Sequence, residues 1–187
     1  MSKPLVTPKG IASYPHLDQP DTAFGQNAYK VTLILDASDP EVVELLNALD
    51  QLVDESLEAA KKDAKPAQKA KIGTNPPYEQ ELDDNGDPTG NVIIKFKQNA
   101  EINGEPVEIA VVDAKKNRLH GVRIGAGSTI RVGFTTRPYC MKGSAGITRD
   151  LRAVQLLNLV EKESSFGFDE EDGFTAAPEA TADDADF

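Results

Sequence analysis

A mainly β chain that closes into a small barrel, with one α-helix after an early strand and an acidic C-terminal tail, is the fold this sequence predicts. Three observations predict it. Apolar residues recur at three- and four-residue spacing over one long stretch, Val42 to Leu57. From Asn91 onward, short apolar runs alternate and are cut by turn residues. From Glu163 to Phe187 neither period is present, and nine of the residues are acidic with no base among them, so that segment cannot bury enough apolar surface to fold alone. The chain has 187 residues. At this size folding removes roughly 70% of the unfolded surface from water, which is enough for one core. We expect a body over residues 1–162 and a disordered tail over residues 163–187.

The opening, to about Asn27, carries Pro4, Pro8, Pro15 and Pro20. Proline has no N–H for a ladder, so only short extended pieces at sheet edges are expected there. Ala28 to Leu35 then alternates, with Tyr29, Val31, Leu33 and Leu35 on one face and Ala28, Lys30, Thr32 and Ile34 on the other. This predicts a strand.

Asp39-Pro40-Glu41 announces the helix. Asp39 caps, Pro40 fits the first turn, and Glu41 and Glu44 favour the positive dipole end. Val42, Leu45, Leu46, Leu49, Leu52, Val53 and Leu57 form one stripe, and Lys61 and Lys62 close the negative end. The polar face is acidic, so the helix reads as a lid on a sheet and not as a membrane helix.

Ala64 to Gly90 is a long Pro-rich connection. Its Asp83-Asp84-Asn85-Gly86-Asp87 run has some calcium-loop character, but the glycine comes two positions early and Ile94 stands where the closing glutamate belongs. A hairpin turn is the better reading. Strands are then expected over Val92–Lys97, Pro106–Asp113 and Ser128–Arg137, with turns at Asn103-Gly104, Lys116-Asn117 and Gly125-Ala126-Gly127. Leu151 to Val160 fits a helix or a bulged strand equally by period. The order of one helix and several short strands favours a five-stranded OB-fold barrel, with a split α+β sheet as the alternative.

The net charge is −11, from 20 bases and 31 acids. Nine of the acids and none of the bases lie in residues 163–187, which leaves 22 acids against 20 bases in the body. Within the body, Asn91 to Arg152 holds eleven bases and five acids. An acidic protein therefore has a basic half.

Several classes are excluded. The single cysteine, Cys140, rules out an internal disulfide and suits a reducing compartment. Two histidines and one cysteine are too few for a zinc finger or ribbon. No apolar signal core opens the chain and no stretch is long and apolar enough for a membrane span, so no membrane partner is expected. No catalytic set can be assembled. His16 and His120 sit in different segments with no Ser or Cys motif beside either, and Cys140 has no histidine near it in sequence. Gly125-Ala126-Gly127-Ser128-Thr129 lacks the lysine of a phosphate loop and runs into a strand. No enzyme activity and no cofactor or metal are expected.

What is present is a basic face with an aromatic beside it. Lys95 and Lys97 point opposite to Phe96, and Arg131 and Arg137 opposite to Val132 and Phe134. Pro138-Tyr139-Cys140-Met141-Lys142-Gly143 follows as a basic loop with an aromatic. Two basic strand faces beside Tyr139 suit a groove that tracks phosphates and stacks bases. The same pattern fits a solvated sheet face, and on the residues alone both readings stand. The tail closes with Asp183-Asp184-Ala185-Asp186-Phe187, an aromatic on an acidic run, which reads as an anchor for a partner's pocket. A solubilising spacer is the bland alternative.

In their order and spacing, Tyr29-Lys30-Val31-Thr32-Leu33, Lys95-Phe96-Lys97, Val111-Val112-Asp113, Gly127-Ser128 before the Arg131 strand, Pro138-Tyr139 and the ending Asp186-Phe187 resemble the single-stranded-DNA-binding proteins of short-tailed, podovirus-type phages. The resemblance implies an OB-fold in which Leu151 to Val160 is a strand. It implies a non-catalytic protein that coats single strands in phage DNA replication, recombination and repair and helps strands anneal, in the cytoplasm of the infected bacterial host. It implies a homodimer and a tail that contacts the phage DNA polymerase and helicase–primase. Lys97 and Tyr139 match groove residues, Lys3 an N-terminal lysine of functional interest, and Phe187 the terminal aromatic. Two positions depart from the family: Asn99 stands where a stacking aromatic is expected, and Met141 where a tryptophan can occur. With no tryptophan in the chain, stacking is weaker or is supplied elsewhere. The tail is also short. An adaptor whose barrel binds protein instead of DNA is the competing reading, and salt-dependent oligonucleotide binding separates the two.

Overall fold

Alternation decides where the core sits. In the computed structural model, which describes residues 4–161, the chain runs through β1 (Leu5–Val6), β2 (Gly10–Asp21), β3 (Ala28–Asp36), helix α1 (Pro40–Asp63) and the single turn α2 (Pro66–Lys69). It continues through β4 (Gly73–Thr74), β5 (Glu79–Leu82), β6 (Pro88–Asn99), β7 (Glu101–Ile102), β8 (Glu105–Pro106) and β9 (Ala110–Val112). It finishes with β10 (Thr129–Thr135), β11 (Pro138–Met141), β12 (Ser144–Ile147) and β13 (Asp150–Asn158).

Five strands close a ring in the order β2-β3-β6-β13-β10 and back to β2. Every contact in the ring is antiparallel except β6 with β13, which is parallel. This is the expected OB-type barrel. Val31, Leu33 and Leu35 of β3, Ile94 and Phe96 of β6, Ile130, Val132 and Phe134 of β10, and Leu151 and Val154 of β13 are all buried inside it. Phe96 and Phe134 meet at its centre, with ring centroids 4.9 Å apart and tilted by 59°. Leu151 to Val160 is thus settled as mainly strand. Residues expected to face outward on β3, β6 and β10 do so, except Ala28. It is buried because its strand end is flanked by Asp21 of β2 and Asn99 of β6.

The N-terminal region corrects the sequence reading. Where only short edge pieces were expected, β2 is a twelve-residue barrel strand. Pro15 and Pro20 are tolerated because β2 pairs with β10 only at Gly10 and Ile11, and its register against β3 shifts between Ser13 and His16 and again before Asp21. Both prolines lie in these shifts, where no ladder N–H is required. Gly10 sits at the corner where β2 passes from β3 to β10. A Cβ there would lie 2.6 Å from the Ile34 carbonyl oxygen, so only glycine fits. A second difference is that the expected Pro106–Asp113 strand splits into β8 and β9.

Helix α1 begins as read, with the Glu41 N–H donating to Asp39 Oδ1 at 2.9 Å and Lys61 and Lys62 in the last turn. Val42, Leu45, Leu49 and Val53 are buried. The stripe also contains a polar residue, Ser56, whose hydroxyl lies 2.9 Å from the Gly146 carbonyl oxygen and 3.2 Å from that of Tyr139. It fastens the helix to the β11–β12 hairpin. The Asp83 loop is the hairpin turn between β5 and β6: its carboxylate accepts from Asn85 N–H and Asp87 N–H. The N–H groups of Gly125, Gly127 and Ser128 all donate to backbone carbonyls, so that loop is a closed turn and not a phosphate cradle.

Candidate nucleic-acid interface

Because Ile94, Phe96 and Gln98 turn inward on β6, Lys95 and Lys97 turn outward. Register then decides their neighbours. On one side β3 places Thr32 beside Lys95 and Lys30 beside Lys97. On the other side β13 arrives in parallel with Asp150 beside Lys97, bringing Arg149 just before it. Arg137, one residue past the buried Thr136, comes in from the end of β10. Lys95, Lys97, Arg137 and Arg149 thereby line one cleft of about 420 Å³, with Asn99 and Ile102 along its wall.

The four cations are held differently. Lys95 pairs with Glu79 at 3.0 Å, both side chains well exposed. Arg137 grips Asp150 with two bonds, Nε to Oδ2 at 2.6 Å and Nη2 to Oδ1 at 3.1 Å. These bonds raise the guanidinium's pKa above its ordinary value. Arg149 is half-buried. Its Nε donates to the Lys95 carbonyl at 3.0 Å and its Nη1 to the Pro77 carbonyl at 2.9 Å. Burial pulls its pKa below the ordinary arginine value, and attraction to Tyr139 and Glu79 opposes that. It remains charged at neutral pH. Both of its hydrogen-bond partners among the described residues are neutral carbonyls, and no carboxylate among them forms an ion pair with it, which leaves its charge and its remaining N–H groups open to an anion. Lys97 forms no ion pair among the described residues. Farther along the same face, Lys30 is paired with Asp21.

Of the residues expected from sequence, Lys95, Lys97 and Arg137 are brought together. None of the others lines the cleft, although Tyr139 lies near enough to Arg149 to act on its charge. Arg131 is on β10 and its Nε donates to the Thr7 carbonyl at 3.1 Å, which ties down the N-terminal strand. Lys142 is exposed at the tip of the β11–β12 hairpin, at a φ of 50°. Tyr139 is half-buried, its hydroxyl accepts from Asn75 Nδ2, and its ring covers Gly146 so closely that a Cβ there would lie 2.7 Å from the hydroxyl oxygen. Lys3 and the tail residues Asp183, Asp184, Asp186 and Phe187 lie outside the described residues. Sequence reasoning missed Arg149, which only the parallel β6–β13 pairing brings into the cleft. It also left Lys30 unassigned, although the alternation of β3 already placed that residue outward.

Among the described residues no cluster of His, Cys, Asp or Glu is suited to a metal, and no helix is long and apolar enough to cross a membrane.

A closed five-stranded barrel with a cationic cleft along its third strand, β6, where that strand meets the start of β13, defines an oligonucleotide-binding architecture, because OB-folds take up nucleic acid on the face built from their second and third strands. Residues 9–159 match the family model of the single-stranded DNA-binding protein of bacteriophage T7, and the chain belongs to that family. The crystal structure of gp2.5, a single-stranded DNA-binding protein encoded by bacteriophage T7, is similar with a TM-score of 0.72 and 23% identity, covering 95% of this chain and 100% of that one. The C-terminally truncated single-stranded DNA-binding protein of bacteriophage Enc34 is similar with a TM-score of 0.53 and 18% identity, over 84% of this chain and 87% of that one. The Enc34 protein in complex with single-stranded DNA gives 0.51 and 18%, over 88% and 89%. No curated protein sequence matches the chain.

Proposed function

We propose that this chain is a non-catalytic, sequence-independent binder of single-stranded DNA in phage replication, recombination and strand annealing, and that the strand runs through the cleft of Lys97, Arg149, Arg137 and Lys95. The observation that carries the reading is the placement of two cations, Lys97 and Arg149, that form no ion pair among the described residues, in a cleft that also holds Arg137 and Lys95. A neutral carbonyl cradle holds the Arg149 fork in place, so little ordering cost remains when a phosphate arrives. The Enc34 protein, which shares the fold, was solved with single-stranded DNA bound. Tyr139, Lys142, Arg131 and Lys3 join the path where the strand extends beyond the cleft. The acidic segment, with Asp183, Asp184, Asp186 and Phe187, is proposed to recruit the phage polymerase and helicase–primase, and the body to act as a homodimer.

The test is an anisotropy titration of single-stranded and duplex oligonucleotides across a salt series. Single strands should be preferred, and log affinity should fall with log salt at about 0.7 per phosphate neutralised. Salt-independent binding, or equal affinity for duplex, would reject the cleft. For the tail, a chain cut after Phe168 should lose polymerase capture in a pull-down; retained capture would remove the tail from the proposal.

Glu79 also yields a prediction. It occupies Lys95 at 3.0 Å, and exposed pairs of this kind contribute little to stability. Glu79→Gln should therefore leave the melting temperature nearly unchanged. It should tighten single-strand binding a few-fold and steepen the salt slope by up to ~0.7, because one more cation is free. Weaker binding by this variant would show that Glu79 organises the cleft instead of competing for it.

A further inference from the structure

We propose that Tyr14 is a base-stacking residue of the single-strand path, which it carries from the cleft across β3 to the bulge of β2. The inference rests on the DNA-binding reading above and adds a residue that neither the sequence pattern nor the cleft contains.

Three observations meet at Tyr14. First, it is 79% exposed, the most exposed large apolar side chain among the described residues. The other tyrosines are engaged. Tyr29 packs against the core, the Tyr78 hydroxyl donates to Asp50, and that of Tyr139 accepts from Asn75. Phe96 and Phe134 are fully buried. Tyr14 therefore offers what they do not, a ring with open faces.

Second, its backbone is in the left-handed region, at a φ of +47°. Glycine and asparagine adopt this conformation cheaply, whereas a bulky aromatic adopts it at a cost. The cause is local. The register of β2 against β3 slips between Ser13 and His16, Pro15 and Leu17 turn inward, and Tyr14 is thrown outward. A residue that strains the turn while packing on nothing is retained for something other than stability.

Third, the register places the bulge on the cationic face. Ser13 lies opposite Thr32, which lies opposite Lys95; His16 lies opposite Lys30, which lies opposite Lys97. Adjacent strands are about 4.8 Å apart, so the bulge is about 10 Å from β6 on the outer surface. A single strand whose phosphates meet Lys97 and run on past Lys30, which Asp21 holds, passes the Tyr14 ring with its bases. Stacking of this kind tolerates any sequence, since every base has a π-face.

The experiment uses the full chain with two probes of equal length, an oligothymidylate and its abasic counterpart. Tyr14→Ala should weaken oligothymidylate binding about 5- to 150-fold, with the salt slope unchanged. It should leave abasic binding unaltered, since no base is there to stack. Tyr14→Phe should retain most of the affinity. Tyr14→Gly should lose binding as alanine does while raising the melting temperature, because glycine relieves the left-handed backbone. That combination separates a binding role from a structural one. Unchanged oligothymidylate affinity in Tyr14→Ala, or equal losses on both probes, overturns the inference and leaves the cleft standing. A wild-type chain that binds neither probe overturns the inference and the DNA-binding reading together.

Discussion

Replacing Lys97 and Arg149 together by alanine should lower the log–log salt slope of single-strand binding by about 1.4 and weaken binding at low salt by roughly two orders of magnitude or more. Each side chain places in the cleft a cation with no ion pair among the described residues, and each neutralised phosphate contributes about 0.7 to the slope. Hydrogen bonds to charged groups contribute roughly 1.5–3 kcal/mol each, so two of them suffice for the expected loss. The single variants should divide the effect. Lys97→Ala removes an exposed side chain and should not move the melting temperature. Arg149→Ala also removes donors to the Lys95 and Pro77 carbonyls and should lower it modestly. Arg149→Lys discriminates further, because lysine keeps the charge and loses the fork; the slope should recover more than the affinity. A double variant that binds at the wild-type level would place the strand on another face of the barrel.

The second large effect is on stability. Phe134→Ala should cost about 3–5 kcal/mol, since a fully buried ring is deleted at the centre of a closed barrel that cannot collapse around the space. For a domain of this size each kcal/mol shifts the melting temperature by about 2–4 °C, so a drop of the order of 10 °C is expected. Phe96 shares the loss through the tilted ring contact at 4.9 Å. A double-mutant cycle between the two should show a coupling of about 0.5–1.5 kcal/mol. Additive effects would mean that each ring is held by the barrel wall and not by the other ring. A scanning calorimetry series measures both quantities.

The sequence was informative wherever a period met its own end signals. Helix α1 was legible because Asp39-Pro40 and Lys61-Lys62 bracket a single apolar stripe. Strands β3, β6 and β10 were legible because their inward residues are branched or aromatic and most of their outward ones are polar. Strand β2 was not, because its two prolines argue against a barrel strand unless the register is known to slip at both. The site divides in the same way. Lys95 and Lys97 follow from alternation within one strand. Arg149 depends on a parallel contact between β6 and β13, which no local pattern encodes. Tyr139 has the right residue type in the right loop, yet its setting depends on Gly146 and Asn75, which sit elsewhere in the chain.

The parallel contact of β6 with β13 also has a consequence for how the protein is made. Arg149 enters the cleft only when β13, the last strand of the barrel, docks between β6 and β10. The ring is sealed on its other side by Gly10 against Ile130, residues from opposite ends of the folded body. Such distant pairings form late and slowly, since loop closure must precede the contacts that reward it. A nascent chain still lacking β13 on the ribosome has Lys95 and Lys97 but no Arg149 beside them. The cleft is therefore complete only when the barrel is closed, and a chain cut before β13 should lack the Arg149 contribution to it. A strand bound there favours the closed ring by mass action, so ligand and last strand hold each other in place.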